Sequence, residues 1–197
     1  MNRISLQLIL LLILVPSLSY SESRRQPLVS FEENDLFGFK NKTGKVIIPP
    51  QYSHVFDFNE KKVAFVLGKD GWSCIDSNNK HLLSPFIFDN GPDYLSEGMG
   101  RFVEKGKIGF FDSACKKKIK ADYDFAQPFE NKFSIVCNGC YSKKSGEHSV
   151  IKGGKYGAID KKGKIVVSLE YDSVSIDVGK KTAQVTNDGL KKEIKIR

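Results

Sequence analysis

An all-β chain assembled from short tandem repeats is what this sequence predicts, on three observations. A glycine flanked by aromatic or β-branched residues recurs at Gly38, Gly109 and Gly157, with Ser73 in the equivalent place, at spacings of 35, 36 and 48 residues. Fixed offsets follow these positions: a lysine seven residues on (Lys45, Lys80, Lys116, Lys164) and, in three copies, a tyrosine fourteen on (Tyr52, Tyr123, Tyr171), where the second copy has Ile87. After the N-terminal run, no stretch holds a 3.6-residue apolar period over three turns; short β-branched and aromatic runs bounded by Gly, Pro, Asn and Asp take its place. Self-similarity at such a period marks stacked supersecondary units, because one unit of that size cannot bury its apolar face alone.

Residues 1–21 open with the basic Arg3 and run almost wholly apolar to Val15, followed by Pro16 and the small residues Ser17, Ser19 and Ser21. That order predicts an export signal with cleavage near Ser19 or Ser21. The run is shorter than the roughly 20 residues a spanning helix needs; the alternatives are an uncleaved anchor or a buried helix. No second long apolar run follows, so the mature chain is expected to be secreted or periplasmic, without a transmembrane span.

Residues 22–33 read as an N-terminal cap or linker, and 34–178 as four repeats with approximate bounds 34–67, 68–103, 104–151 and 152–178. Residues 179–197 read as a C-terminal strand and cap, and the third repeat carries an insertion. In each repeat a first strand surrounds the glycine, and a tight turn such as Asp160-Lys161-Lys162-Gly163-Lys164 follows. A continuously apolar return strand comes next (Val46-Ile47-Ile48, Ile165-Val166-Val167), then a loop carrying Phe56 and Phe58, or Phe125 and Phe129. A third short strand ends the unit, at Val63–Val66, Gly100–Val103, Phe133–Cys137 and Thr182–Val185. Each copy is thus expected to be a three-stranded antiparallel meander, the copies stacking as an open solenoid or propeller-like array.

These segments resemble the WG repeat family, also called KWG repeats. The likeness lies in Lys155-Tyr156-Gly157-Ala158-Ile159-Asp160, Gly163-Lys164-Ile165-Val166 and Tyr171-Asp172, and in outline in Leu36-Phe37-Gly38-Phe39 with Thr43 to Pro49 and Tyr52. The second copy places Trp72 correctly but has Ser73 for glycine, so its backbone is expected to differ there. The resemblance implies stacked β units; it implies no general activity and carries no catalytic residues to this chain.

The chain holds 31 Lys+Arg against 23 Asp+Glu, a net charge of +8. Arginine is nearly absent after Arg24-Arg25, and base readers and phosphate clamps favour its planar fork; nucleic acid is therefore not the expected partner. Lys116, Lys117, Lys118, Lys161 and Lys162, at repeat turns, are the candidate partner-binding basic residues. Their simpler reading is a solvated surface, and the functional one is attraction to an acidic protein or an anionic envelope polymer.

Cys137-Asn138-Gly139-Cys140 sits in the insertion, where it ends a predicted strand, with Tyr141 to Gly146 read as loop and Asn138-Gly139 as a hairpin turn. In an exported protein the pair is a structural disulfide, two free thiols or a redox couple; redox couples usually begin a helix, whose N-terminus lowers the thiol pKa. With His148 the pair makes half a zinc site, and no fourth ligand is placed by sequence. Cys74 and Cys115 are a second candidate pair across neighbouring repeats, or two small buried side chains; four cysteines allow three pairings. The recurring Asp112, Asp160, Asp124 and Asp172 are explained by turn and strand-end hydrogen bonds. Phe37, Trp72 and Tyr156 are expected to be core; Phe56, Phe58, Tyr94 and Phe129, free of the repeat pattern, are the candidates for lining an exposed ligand surface, with core the expected place for most of them. No cofactor motif is present. The favoured function is an exported, non-enzymatic binding module; the alternative is a thiol-disulfide redox protein using Cys137 and Cys140.

Overall fold

The computed structural model describes residues 27–146 and 148–196; the expected signal segment 1–21, with Ser19 and Ser21, lies outside the described residues. Among the described residues every helix or strand element is a β-strand. The first sheet runs β1 (Val29–Glu33), β2 (Leu36–Lys40) and β3 (Val46–Tyr52). The short β4 (His54–Val55) then leads a second sheet with β5 (Val63–Gly68), β6 (Gly71–Asp76) and β7 (His81–Pro85). A small hairpin, β8 (Ile87–Phe88) and β9 (Gly91–Pro92), precedes β10 (Met99–Glu104), β11 (Lys107–Asp112) and β12 (Lys117–Tyr123). The end of β7 pairs with β10, which joins these two groups into one seven-stranded sheet. Next come β13 (Phe125–Ala126), β14 (Phe133–Ser145), β15 (His148–Asp160) and β16 (Ile165–Tyr171) as one sheet. The last sheet is β17 (Ser173–Asp177), β18 (Thr182–Asn187) and β19 (Leu190–Lys195).

The meanders are antiparallel and three-stranded, but out of phase with the sequence repeat. The third strand of a repeat pairs with the first strand of the next: β5 with β6, β10 with β11, β14 with β15. The sheets therefore cross the repeat boundaries: the seven-stranded sheet draws on three successive repeats and the β13–β16 sheet on two. At the ends, β1 stands where a preceding third strand would be, and β19 where a following first strand would be. Four apolar clusters fill the gaps between successive groups: Phe39 with Val66, Cys74 with Phe111, Phe110 with Val136, and Val167 with Val185 mark them in chain order.

The repeat glycine has a backbone cause. In three copies the first and return strands pair on either side of it: Phe37↔Tyr52 and Phe39↔Ile48, Ile108↔Tyr123 and Phe110↔Ile119, Tyr156↔Tyr171 and Ala158↔Val167. Between those pairs the glycine strand advances two residues and the return strand four, so the surplus arches over the glycine as a bulge. A Cβ on Gly38 would lie 2.5 Å from the Ile48 carbonyl oxygen, and one on Gly157 2.6 Å from that of Val167. The arch also fixes the fourteen-residue spacing from glycine to tyrosine. In the second copy Ser73 carries the forbidden Cβ, and β6 and β7 pair only over Cys74↔Leu83 and Ile75↔His81. The chain leaves instead to meet β10, at Ser84↔Val103 and Pro85↔Phe102.

The turns follow one chemistry. The Oδ1 atoms of Asn41, Asp76, Asp112 and Asp160 each accept the N–H groups two and four residues ahead. Three residues after each of them the backbone is left-handed, at Gly44, Asn79, Cys115 and Gly163. This side-chain-capped turn sets the seven-residue spacing from glycine to lysine.

Two expectations in the insertion need correction. Tyr141 to Ser145 is strand, not loop, and Asn138-Gly139 lies within β14 rather than at a hairpin turn. The register continues from Cys140↔Gly153 to Ser145↔His148, so the insertion is a two-stranded ribbon projecting from its sheet.

Candidate interaction cleft

Two elements depart from the repeat pattern, the β8–β9 hairpin and the β14–β15 ribbon, and they face each other across a cleft of about 700 Å³. Its floor includes Ile108, Phe125 and Pro128. Phe88 and Tyr94 stand on the hairpin side, 55% and 59% exposed, and Tyr141 on the ribbon side is 60% exposed. Phe88 and Tyr94 meet edge to face at 6.1 Å. Exposed aromatics that converge on one cavity are the usual lining of a binding site.

The hairpin is held from below. Phe88 occupies the position that holds Asp124 and Asp172 in the third and fourth copies, so no strand-end carboxylate is available there. The buried Asp93 takes its place: Arg101 donates to it from Nε at 2.7 Å and from Nη2 at 2.9 Å. Arg101 Nη1 donates to the Ala126 carbonyl oxygen at 2.8 Å, and the guanidinium lies 4.3 Å from the Phe86 ring centroid. A bidentate pair in which each guanidinium nitrogen also makes a hydrogen bond suits a buried site, because an unpaired charge there is costly. Arg101 is thus a structural anchor beneath the cleft.

The ribbon is held at its root. Cys137 and Cys140 form a disulfide, Cα–Cα 6.2 Å, with Cys137 fully buried and Cys140 8% exposed at the cleft wall. Gly139, Gly153 and Gly154 all have positive φ there, and a Cβ on Gly154 would lie 2.6 Å from the Asn138 carbonyl oxygen. The Gly139 N–H donates to Asp124 Oδ2 at 2.7 Å while Lys107 Nζ donates to Oδ1 at 2.6 Å. Those bonds, the lysine's first, hold the Asp124 carboxyl below its ordinary pKa. The fourth copy repeats the arrangement, with Lys155 Nζ on Asp172 Oδ1 and the Asp188 N–H on Oδ2, both at 2.7 Å. Asp172 is lowered and Lys155 raised for the same reason, their mutual hydrogen bond first. The lysine and aspartate of the repeat are therefore a strand clasp. The cysteine pair sits mid-strand and starts no helix, so the feature that usually lowers a redox thiol pKa is missing. Among the described residues no cluster of metal-ligating side chains occurs, and the His148 side chain is not among them.

The second pair, Cys74 and Cys115, is also a disulfide, Cα–Cα 6.6 Å, running from β6 to the turn after β11. Cys115 occupies the left-handed place in that turn, φ 53°, where two of the other copies have glycine. It staples the second repeat to the third.

The candidate lysines do not converge on one free patch. Lys117 Nζ is 2.6 Å from Glu104 Oε1 and lies over the Phe102 ring. Lys118 is 3.8 Å from Asp112, and Lys161 Nζ donates to the Glu97 carbonyl oxygen and lies 3.9 Å from its carboxylate. Lys116 and Lys162 are exposed, their backbone N–H groups capped by Asp112 and Asp160. The repeat-locked aromatics are less buried than expected, while Phe129 takes the core place expected of most off-repeat aromatics. Phe37, Trp72 and Tyr156 are half-buried, and the fully buried phenylalanines are instead Phe39, Phe110 and Phe129 among others. Trp72 stands at the sheet margin against His54 and Phe56, its indole N–H donating to the Asn90 carbonyl. Of the cleft's lining, the sequence singles out Tyr94, Asp124, Phe125 and Cys140, but nothing in it brings them together, because the hairpin is hidden in a degenerate copy and the ribbon in an insertion.

A family model described as WG containing repeat matches residues 37–71, 108–139 and 156–190, just over half of the chain. Each match begins one residue before an arch glycine, and the second copy, which lacks the arch, is not matched. Comparison with curated proteins returns no match.

Proposed function

The chain belongs to the WG-repeat family, and from that premise we propose that it is an exported, non-enzymatic interaction module that docks a protein partner in the hairpin–ribbon cleft. One observation carries the reading: the elements that break the repeat are the ones that meet, and they meet as exposed aromatics over an apolar floor. The repeating carboxylates are spent on turns and strand clasps, which leaves them no catalytic task. An apolar cavity favours a protein segment over an anionic polymer, and three of the five candidate turn lysines already stand beside a carboxylate. The net charge of +8 adds attraction for an acidic partner and makes binding salt-sensitive. Export rests on the N-terminal sequence of residues 1–21.

The test is selection of a displayed random-peptide library on the folded chain, followed by titration of the recovered peptides against variants. Phe88→Ala and Tyr94→Ala are each expected to weaken binding by about tenfold, the loss of one good aromatic contact. Leu190→Ala, at an exposed site in β19, should leave it unchanged. Equal affinity in all three variants would refute docking in the cleft.

A further inference from the structure

We infer that the partner binds as an added β-strand on the outer edge of β14, an extended segment with apolar and acidic residues in alternation. The inference rests on the docking reading above and specifies the partner's chemistry.

The array's own pairing rule exposes the vacancy. Each third strand is flanked on its outer side by a strand, over two residue pairs for β4 on β5 and for the end of β7 on β10, and from Ser173↔Thr186 to Asp177↔Thr182 for β17 on β18, and none of these strands is longer than six residues. β14 has thirteen residues, and β13 covers it at Phe125↔Cys137 and Ala126↔Val136 alone. The carbonyl oxygens of Ile135 and Cys137 face that side, accepting from Gln127 and Asp124, and the Gly139 N–H faces it too. Strand backbones alternate, so the next outward groups belong to Tyr141, Lys143 and Ser145. Among the described residues those groups have no backbone partner on that side. An unpaired edge of this kind templates strand addition.

Side-chain alternation then states what the added strand must carry. Cys140 and Ser142 on β14, with Ile151 on β15, belong to the cleft face. The partner's side chains on that face meet Phe125, Ile108 and the hairpin aromatics Phe88 and Tyr94, and so are apolar. On the reverse face Lys143 and Lys152 stand on adjacent strands, as Lys143↔Val150 and Tyr141↔Lys152 place them. Among the described residues neither has a carboxylate within ion-pair distance. A strand beside them gains from carboxylates directly opposite. The period of two in a strand turns these two faces into one alternating pattern.

The experiment uses the selected peptides on the full folded chain with Lys143→Pro and Lys143→Ala. Proline removes the outward N–H without touching the β14–β15 ladder, since Lys143 and Val150 form a non-hydrogen-bonded pair by the same alternation. Alanine removes the charged side chain and keeps the backbone N–H. Strand addition requires an alternating apolar–acidic consensus and binding at least about tenfold weaker for Lys143→Pro than for Lys143→Ala, the worth of a backbone bond and the blocked edge. Should the proline variant not fold, N-methylation at successive peptide amides replaces it: affinity must fall at alternate positions only. Peptides that lose affinity in Tyr94→Ala but not in Lys143→Pro, or that respond to N-methylation without alternation, overturn strand addition while leaving docking intact. No effect in either variant overturns both. Self-association of the chain that Lys143→Pro abolishes would make the occupant a second copy and overturn the separate-partner version.

Discussion

At Gly157 the distance from a would-be Cβ to the Val167 carbonyl oxygen, 2.6 Å, explains a sequence constraint that composition alone leaves obscure. Gly157→Ala is expected to cost about 1–3 kcal/mol, because the clash is with backbone that the arch holds in place. Gly44→Ala sits in open space with φ +83° and should cost about 1 kcal/mol, the left-handed penalty alone. Urea denaturation of the two variants measures the difference, and equal losses would sink the arch argument. The clasp residues add a pH signature. Asp172 is held below its ordinary pKa in the fold by Lys155 and the Asp188 N–H, so its contribution is complete above the ordinary carboxylate range of about 4. It is lost as pH falls from there through the lower folded value. Lys155, raised by the same contact, contributes below its ordinary value and loses this as pH rises through the folded one. Asp172→Asn should therefore flatten the acid limb of a stability–pH curve, and an unchanged limb would remove the clasp. Residue roles of this sort were half legible in sequence. The spacing marked Gly157 and Asp172 as repeat positions; only the register of β15 on β16 shows that one makes room for an arch and the other fastens a strand end.

The Cys74–Cys115 disulfide acts between elements, from β6 to the turn after β11, and closes a loop with a sequence separation of 41. A loop of that length is worth about 4 kcal/mol on the chain-entropy account. The Cys137–Cys140 bridge, with a separation of 3, constrains the unfolded chain far less. Cys74→Ala with Cys115→Ala should therefore lower the melting temperature well below that of Cys137→Ala with Cys140→Ala. Placing glycine rather than alanine at position 115 should recover up to about 1 kcal/mol, since the site has φ 53°. Differential scanning calorimetry of the three double variants orders them, and a larger loss from the ribbon pair would reverse the assignment of the main staple. At this scale the first and return strands were readable from β-branched runs and turn residues. The ribbon was not, because Tyr141 to Ser145 is polar on both faces and carries no inward apolar alternation. Its pairing comes from the register that Cys137↔Tyr156 starts and the chain continues. The β8–β9 hairpin was masked for the opposite reason: Ile87 and Phe88 fit the repeat's offsets while the missing arch at Ser73 sent the chain elsewhere.

Because sheets are shifted against repeats, the whole array is expected to be stable when cut at sheet boundaries and unstable when cut at repeat boundaries. A fragment of residues 27–123 ends with β12 and keeps β10, β11 and the Cys74–Cys115 staple together. A fragment of residues 27–139 ends where the second family match ends, and it adds β14 without the β15 on which that strand depends. Val136 and Cys137, fully buried in the full chain, then lose the strand that pairs beside them. The longer fragment should bind a hydrophobic dye, be cleaved by protease after Tyr123, and melt no higher than the shorter one. Nearest-neighbour coupling is what makes repeat arrays cooperative, and here that coupling is hydrogen bonding across the repeat boundary as well as apolar contact. If the longer fragment melted higher and resisted protease to its end, the folding unit would be the sequence repeat, and the shared sheets would be a consequence of stacking rather than its cause.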